Sequence, residues 1–203
     1  INFPPTHTAP VLNSSKNLNI TSENLTVYPQ AVTDVDRLEP VVTNITDWRL
    51  NGTSIAVLNM PFDTNITSNT TNLVKDYSTY INNATLGNGS AGTEPTWTPK
   101  GNVSGAYSFD GVNDLMNTST SGFSFGNNPR TVELWFNMRP SGVFSPVLLT
   151  YGARVANDAV YLVEVGDKLC IGKHGGGDSC GSVNISDQNW HHAVLTYDTN
   201  NKM

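Results

Sequence analysis

No window of this 203-residue chain repeats apolar residues at three-to-four spacing without a Gly, Pro, Asn or Thr breaking it. Those residues are poor helix formers, so an all-β chain is expected. The clearest positive signal is "TVELWFNM", where Val132, Leu134, Phe136 and Met138 alternate with Glu133, Trp135 and Asn137. A period of two puts the first set on one face of a strand and the second on the other. Similar runs occur in "GAYSFDG", "AVYLVEVG", "SVNIS" and "HHAVLTYD", separated by Gly, Asn and Asp. Short strands with such turns between them point to a sandwich or jelly roll.

Composition narrows the function classes. Charged residues make up only 14% of the chain and the net charge is −6. Without a basic cluster there is no electrostatic footprint for nucleic acid. The longest apolar stretches, "SIAVLNM" and "SPVLLTY", fall far short of the roughly 20 residues that span a bilayer as a helix.

Sequons point to export. Asn-x-Ser/Thr, the acceptor for N-glycosylation, occurs at Asn13, Asn19, Asn24, Asn44, Asn51, Asn65, Asn69, Asn83, Asn88, Asn102, Asn117 and Asn184. Random placement of the 25 Asn and 40 Ser plus Thr predicts about five such triplets. Several lie on turn sequences ("LNGTS", "GNGSAG", "GNVSG"), where a sugar meets solvent. The start at Ile1 rather than Met fits the same expectation of an extracellular or cell-surface protein. Cys170 and Cys180 flank a Gly-rich turn, and in an exported chain a disulfide between them is the default. A metal site from Cys170, His174, Asp178 and Cys180 lacks Cys-x-x-Cys spacing and is disfavoured.

Three segments are expected. Residues 1–12, "INFPPTHTAPVL", hold Pro4, Pro5 and Pro10 and read as an extended N-terminal arm rather than an internal strand. Residues 13–53 carry strand-like pieces, "KNLNIT", "NLTVYPQAV" and "VVTNITDWRLNGT", with a turn at "DVDRLEP". That is about four strands of chain, fewer than the seven or so of a complete immunoglobulin-like sandwich. Residues 54–203 form the third segment.

The order "SIAVLNMPFDTN", "VKDYSTYINNATLGNG", "WTPKGNVSGAYSFDGVNDLM", "TVELWFNM" and "NWHHAVLTYD" over residues 54–203 resembles the laminin-G-like (concanavalin-A-like) jelly-roll domain of bacterial and archaeal surface proteins. "ENLTVYPQAVTDVD" to "DWRLNGTSI" is similar to the immunoglobulin-like repeats that precede such domains in archaeal exported proteins. The resemblance implies further strands after "LTYD", which are missing here. The expected fold is therefore an immunoglobulin-like segment followed by an incomplete jelly roll, completed by a strand from a neighbouring copy.

A sheet lacking its last strands leaves an unpaired edge and wet apolar surface, and an added strand would repair both. The N-terminal arm is the expected donor, with Ile1, Asn2, Phe3, Val11, Leu12, Val194, Tyr197 and Met203 as assembly residues. Front-to-back contacts of this kind propagate as a filament unless they close a ring. The expected function is thus a structural subunit of a glycosylated extracellular filament or surface coat, and its main partner is itself. A lectin-like adhesion module binding surface glycans or proteins is the alternative.

Chemical motifs are weaker. Asp110, Asn113 and Asp114 in "FDGVND" offer hard oxygen ligands for calcium, although the same residues are ordinary turn formers, and the turn reading is preferred. His191 and His192 are neighbours on a strand, so they face opposite ways and cannot share one metal ion. Trp135 and Trp190 are read as core or groove walls, while Trp48 and Trp97 are left undecided as sugar-stacking candidates. The jelly roll also hosts glycanases, which need paired carboxylates, but Glu133 and Glu164 stand singly on different strands. No enzyme, no resident metal and no cofactor other than N-linked glycans is expected.

Overall fold

The computed structural model describes residues 5–16, 18, 20–35, 44–66, 73–126, 128–140, 146–153, 155 and 159–198. All regular structure among them is β-strand. The chain divides into two compact units, Ile1–Thr46 and Asp47–Met203.

The first unit is built on one antiparallel hairpin of β1 (Thr6–Ser14) and β2 (Leu25–Thr33). The extended arm expected over residues 1–12 is, from Thr6 onward, a strand paired with β2, while Ile1, Asn2 and Phe3 lie outside the described residues. Proline is tolerated because each strand of a two-stranded ribbon keeps an open edge, where a missing N–H breaks no ladder bond. Pro10 also falls where the register shifts, between Thr8 and Val11. The described residues of "KNLNIT", Lys16, Leu18, Ile20 and Thr21, belong to the β1–β2 connection rather than to a strand. There the Glu23 carboxylate accepts the Leu18 N–H (3.3 and 3.2 Å), and the Ser15 N–H donates to the Asn24 carbonyl (2.8 Å). Most of "DVDRLEP" lies outside the described residues.

The second unit starts at Asp47, ahead of the expected boundary at residue 54. The reason is the small hairpin of β3 (Arg49–Leu50) and β4 (Thr53–Ser54). Its two-residue turn, Asn51-Gly52, has both φ angles positive, 50° and 85°, as a type I′ turn requires. Ser54 ties the hairpin down: its Oγ donates to Asp47 Oδ2 (2.8 Å), and its N–H donates to Thr79 Oγ1 (2.9 Å).

Short strands follow, β5 (Ala84–Leu86), β6 (Thr96–Thr98), β7 (Ala106–Ser108) and β8 (Met116–Thr118), pairing β5 with β8 and β6 with β7. Between them lies one core, in which Val74, Ala84, Leu86 and Tyr107 are buried against Met60, Phe62, Ile66, Trp97 and Met116. Polar tips are satisfied, since Trp97 Nε1–H donates to the Phe62 carbonyl (2.9 Å) and the Tyr107 hydroxyl donates to the Thr64 carbonyl (3.1 Å).

The remaining strands are β9 (Arg130–Asn137), β10 (Val147–Tyr151), β11 (Val160–Val165), β12 (Lys168–Lys173), β13 (Ser179–Asn184) and β14 (Trp190–Tyr197). β10 to β13 form an antiparallel meander, and β9 pairs with β14. Val132 and Leu134 of β9 and Leu195 of β14 pack on Val160 and Leu162 of β11, so ribbon and meander make a second core. At the meander edge, Cys170 and Cys180 are direct cross-strand partners joined by a disulfide. β13 buries none of its side chains. The bond therefore holds a strand that packing does not, and loop closure is worth about 2–3 kcal/mol.

A buried polar knot organises the loops. Asp76 is 4% exposed, and its carboxylate accepts the N–H groups of Asn59 (2.8 Å), Ser78 (2.9 Å) and Asn82 (2.8 Å) and the Ser78 hydroxyl (2.6 Å). Asn82, fully buried, donates to the Val57 and Ser121 carbonyls and accepts from the Ser119 hydroxyl and the Ser121 N–H. Thr118 Oγ1 donates to the Asn82 carbonyl. Burial pushes the Asp76 carboxyl up, but the four hydrogen bonds outweigh it and hold the group below its ordinary 3.8. A depressed folded-state value stabilises the fold above the unfolded value, and that contribution is lost as pH falls through the folded one. Urea unfolding should therefore show stability dropping below pH 3.8. Asp76→Asn, which turns a donor toward donors, should cost about 2–3 kcal/mol at neutral pH and flatten that acid limb.

Candidate assembly surface and glycosylation sites

The two strands of hairpin β1/β2 contain no Asp, Glu, Lys or Arg; Lys16 and Glu23 lie in their connection. The period-two pattern puts Val11 and Tyr28 on one face and Leu12, Val27 and Leu25 on the other, with Val11↔Tyr28 and Leu12↔Val27 as cross-strand pairs. Val11, Leu12, Leu25 and Tyr28 are all exposed, and Ser14 is the one buried residue of the hairpin. An isolated two-stranded hairpin is marginal in water. Natural edges are usually blunted by lysine or other charge. This hairpin carries prolines alone for that purpose.

Ribbon β9/β14 has eight antiparallel pairs, from Trp190↔Asn137 to Tyr197↔Arg130. Among the described residues neither strand has a second neighbour, so each keeps an open edge. The inner face carries Ala193, Leu195 and Tyr197, all buried. Tyr197 is therefore core, and the Arg130 guanidinium lies 4.5 Å from its ring centre. Of the two β14 residues expected to serve assembly, only Val194 stands on the outer face, exposed. Met203 lies outside the described residues.

The outer face of the ribbon is chemically richer than expected. Trp135, read from sequence as core or groove wall, is 45% exposed there. Its ring stacks on His192 (centroids 4.7 Å apart), and His192 Nε2 is 2.8 Å from Glu133 Oε1. His191 points the other way, stacking on Phe136 and bonding Asp187 (2.9 Å). Bonds from the Asn189 side chain and backbone, then the bond to His191, hold Asp187 well below the ordinary carboxylate range. Trp48 is exposed, whereas Trp97 and Trp190 are half-buried.

Ten of the sequon asparagines are described, Asn19 and Asn69 lying outside. Asn13, Asn24, Asn44, Asn51, Asn65, Asn88, Asn102, Asn117 and Asn184 are exposed, and Asn83 is half-buried. By contrast Asn82, which no sequon contains, is fully buried. In Asn88-Gly89-Ser90 and Asn184-Ile185-Ser186 the serine N–H donates to the asparagine Oδ1 (3.0 and 2.8 Å). These turns leave Nδ2, the atom that takes a sugar, free of that contact.

The "FDGVND" loop uses its own oxygens. Asp110 Oδ1 accepts the N–H groups of Val112 (2.8 Å) and Asn113 (3.2 Å), and Asp114 Oδ2 accepts the Asp110 N–H (2.8 Å). The Val112 bond, chiefly, draws the Asp110 carboxyl below its ordinary value. Gly111, at φ 78°, lets the loop close. Among the described residues no group of three His, Cys, Asp or Glu is placed to hold a metal ion. Millimolar calcium should leave the melting temperature unchanged in a scan with and without chelator; a rise with calcium that Asp110→Ala removes would restore the cation reading.

No protein-family model matches this chain, and no curated protein or solved structure matches it either.

Proposed function

We propose that this chain is a structural subunit of a glycosylated extracellular filament or surface coat, assembled from copies of itself by β-edge complementation. The observation that carries the reading is hairpin β1/β2, whose strands hold no charged residue, carry apolar side chains on both faces and have no further neighbour among the described residues. Such a hairpin gains main-chain hydrogen bonds and buried area by adding to a sheet edge. The open edges of ribbon β9/β14 are sites of the same chemistry. Because β1 is already paired with β2, the donor is a whole hairpin rather than a single inserted arm. A contact between unlike surfaces of two copies is heterologous and propagates. The laminin-G-like resemblance of residues 54–203 and the immunoglobulin-like resemblance of residues 13–53 fit a surface role.

Export is supported by the exposed sequons and the Cys170–Cys180 disulfide. With few charges on the surface, attached sugars would keep assembled chains soluble and apart.

A second reading rests on Trp135. An exposed indole beside His192, Glu133 and Asn137 has the make-up of a sugar-stacking platform, as a lectin-like adhesion module would need.

Sedimentation and electron microscopy of the purified protein should find concentration-dependent head-to-tail polymers. Leu12→Asp should raise the concentration needed for assembly by about tenfold or more, since a charge must be buried or the contact abandoned. A monomer that persists at high concentration and binds glycans through Trp135 would replace the first reading with the second.

A further inference from the structure

Asn83 is unlike the other described sequon asparagines. It is half-buried, and it lines a shallow groove of about 650 Å³ whose apolar members are Ile66, Leu73, Tyr77 and Ile81 and whose polar members include Arg49, Lys75, Asp76 and Ser78. The Asp76 N–H lies 2.9 Å from the Asn83 carboxamide oxygen. A backbone N–H can only donate, so the atom facing it is Oδ1. Nδ2 then lies on the other side of the amide, and the polar knot around Asp76 fixes the side chain in that sense.

The groove is of mixed character, and its aliphatic members meet water. Leu73 is 42% exposed and Ile81 is 67% exposed. Ile81 also has φ 55°, a left-handed conformation that a β-branched residue adopts only under constraint. Its neighbour Asn82 is locked in the knot, so the chain holds the isoleucine outward, two residues before Asn83, at a conformational cost. Lys75 Nζ sits 4.2 Å from the centre of the Tyr77 ring, and the Tyr77 hydroxyl donates to Asp63 (2.6 Å). Burial and then that bond push the Tyr77 hydroxyl up to about 12, so it stays protonated as a fixed wall.

We infer that the N-linked glycan on Asn83 is a structural element whose first sugar seats in this groove against Ile81, Leu73 and Tyr77. A sugar ring has one apolar C–H face and a rim of hydroxyls. The first suits the aliphatic and aromatic wall, and the second suits the Arg49 and Lys75 donors. Attachment follows ordinary N-glycosylation. A lipid-phosphate-linked sugar donor loses its C1–O bond to phosphate as the C1–Nδ2 bond forms, and the amide proton leaves with the phosphate. The other nine described sequon asparagines are exposed, where a glycan shields without packing. This inference rests on the glycoprotein part of the proposed function and is independent of polymerisation.

Glycopeptide mapping of the exported protein should find Asn83 occupied, along with Asn88, Asn102 and Asn184. If all four are empty, the glycoprotein reading falls and takes this inference with it. If the other three carry sugar and Asn83 does not, this inference alone falls. Seating is read by melting temperature. Trimming every glycan to its first sugar should change nothing, whereas Thr85→Ala, which destroys the Asn83 sequon but keeps Asn83, should lower it by about 2–4 °C. Ser90→Ala, which removes the Asn88 glycan, should have no such effect. Thr85→Ala in a host without N-glycosylation reports the cost of the Thr85 hydroxyl by itself. An equal loss in both hosts would overturn the seated glycan.

Discussion

Every backbone N–H and C=O in a chain without helices must find its partner across space, from another strand, a side chain or water. The Asp76–Asn82 knot meets that demand for the irregular half of the second unit. Two short side chains hold segments around Val57–Asn59, Ser78–Tyr80 and Ser119–Ser121 that have few ladder bonds of their own. A buried carboxylate without such donors would be strongly destabilising, and with four it becomes an anchor. The outward turn at Ile81 and the orientation of Asn83 follow from it.

Where that demand is met, the fold is closed; elsewhere strand edges stay unpaired among the described residues. The meander buries Val160, Leu162 and Cys170 and uses a covalent bond to keep its outermost strand. Ribbon β9/β14 buries one face well and leaves both edges bare among the described residues. The hairpin of the first unit buries almost nothing. Unpaired edges on an uncharged surface are a hazard in a monomer and a means of assembly in a polymer. On the proposed function, sugars at exposed asparagines would supply the solvation that charge does not.

Much of the second core was legible in the sequence, because period two is a strong code. "TVELWFNM" alternates inside and outside as expected, and "HHAVLTYD" pairs with it residue for residue. The same code separates buried Tyr197 from exposed Val194, two residues that the assembly expectation places together. Other features were hidden for physical reasons. Pro10 argued against a strand, yet a two-stranded ribbon tolerates it at an open edge. Nothing in the sequence singles out Asp76, Ser78 and Asn82, since short polar side chains look alike whether they bond their own loop or three distant ones. The open groove beside Asn83 depends on a positive φ at Ile81 that no local propensity predicts. Trp135 shares its strand face with Glu133 and Asn137, and that polar company was the available sign that its indole would meet solvent.

Amide hydrogen exchange, measured as a function of protein concentration, is the most direct test of whether copies of this chain complete one another. Self-complementation predicts that edge amides in Thr6–Ser14 and Trp190–Tyr197 exchange fast in dilute protein and become protected as concentration rises, while the meander stays protected throughout. Exchange in those two strands that is the same at every concentration would contradict it.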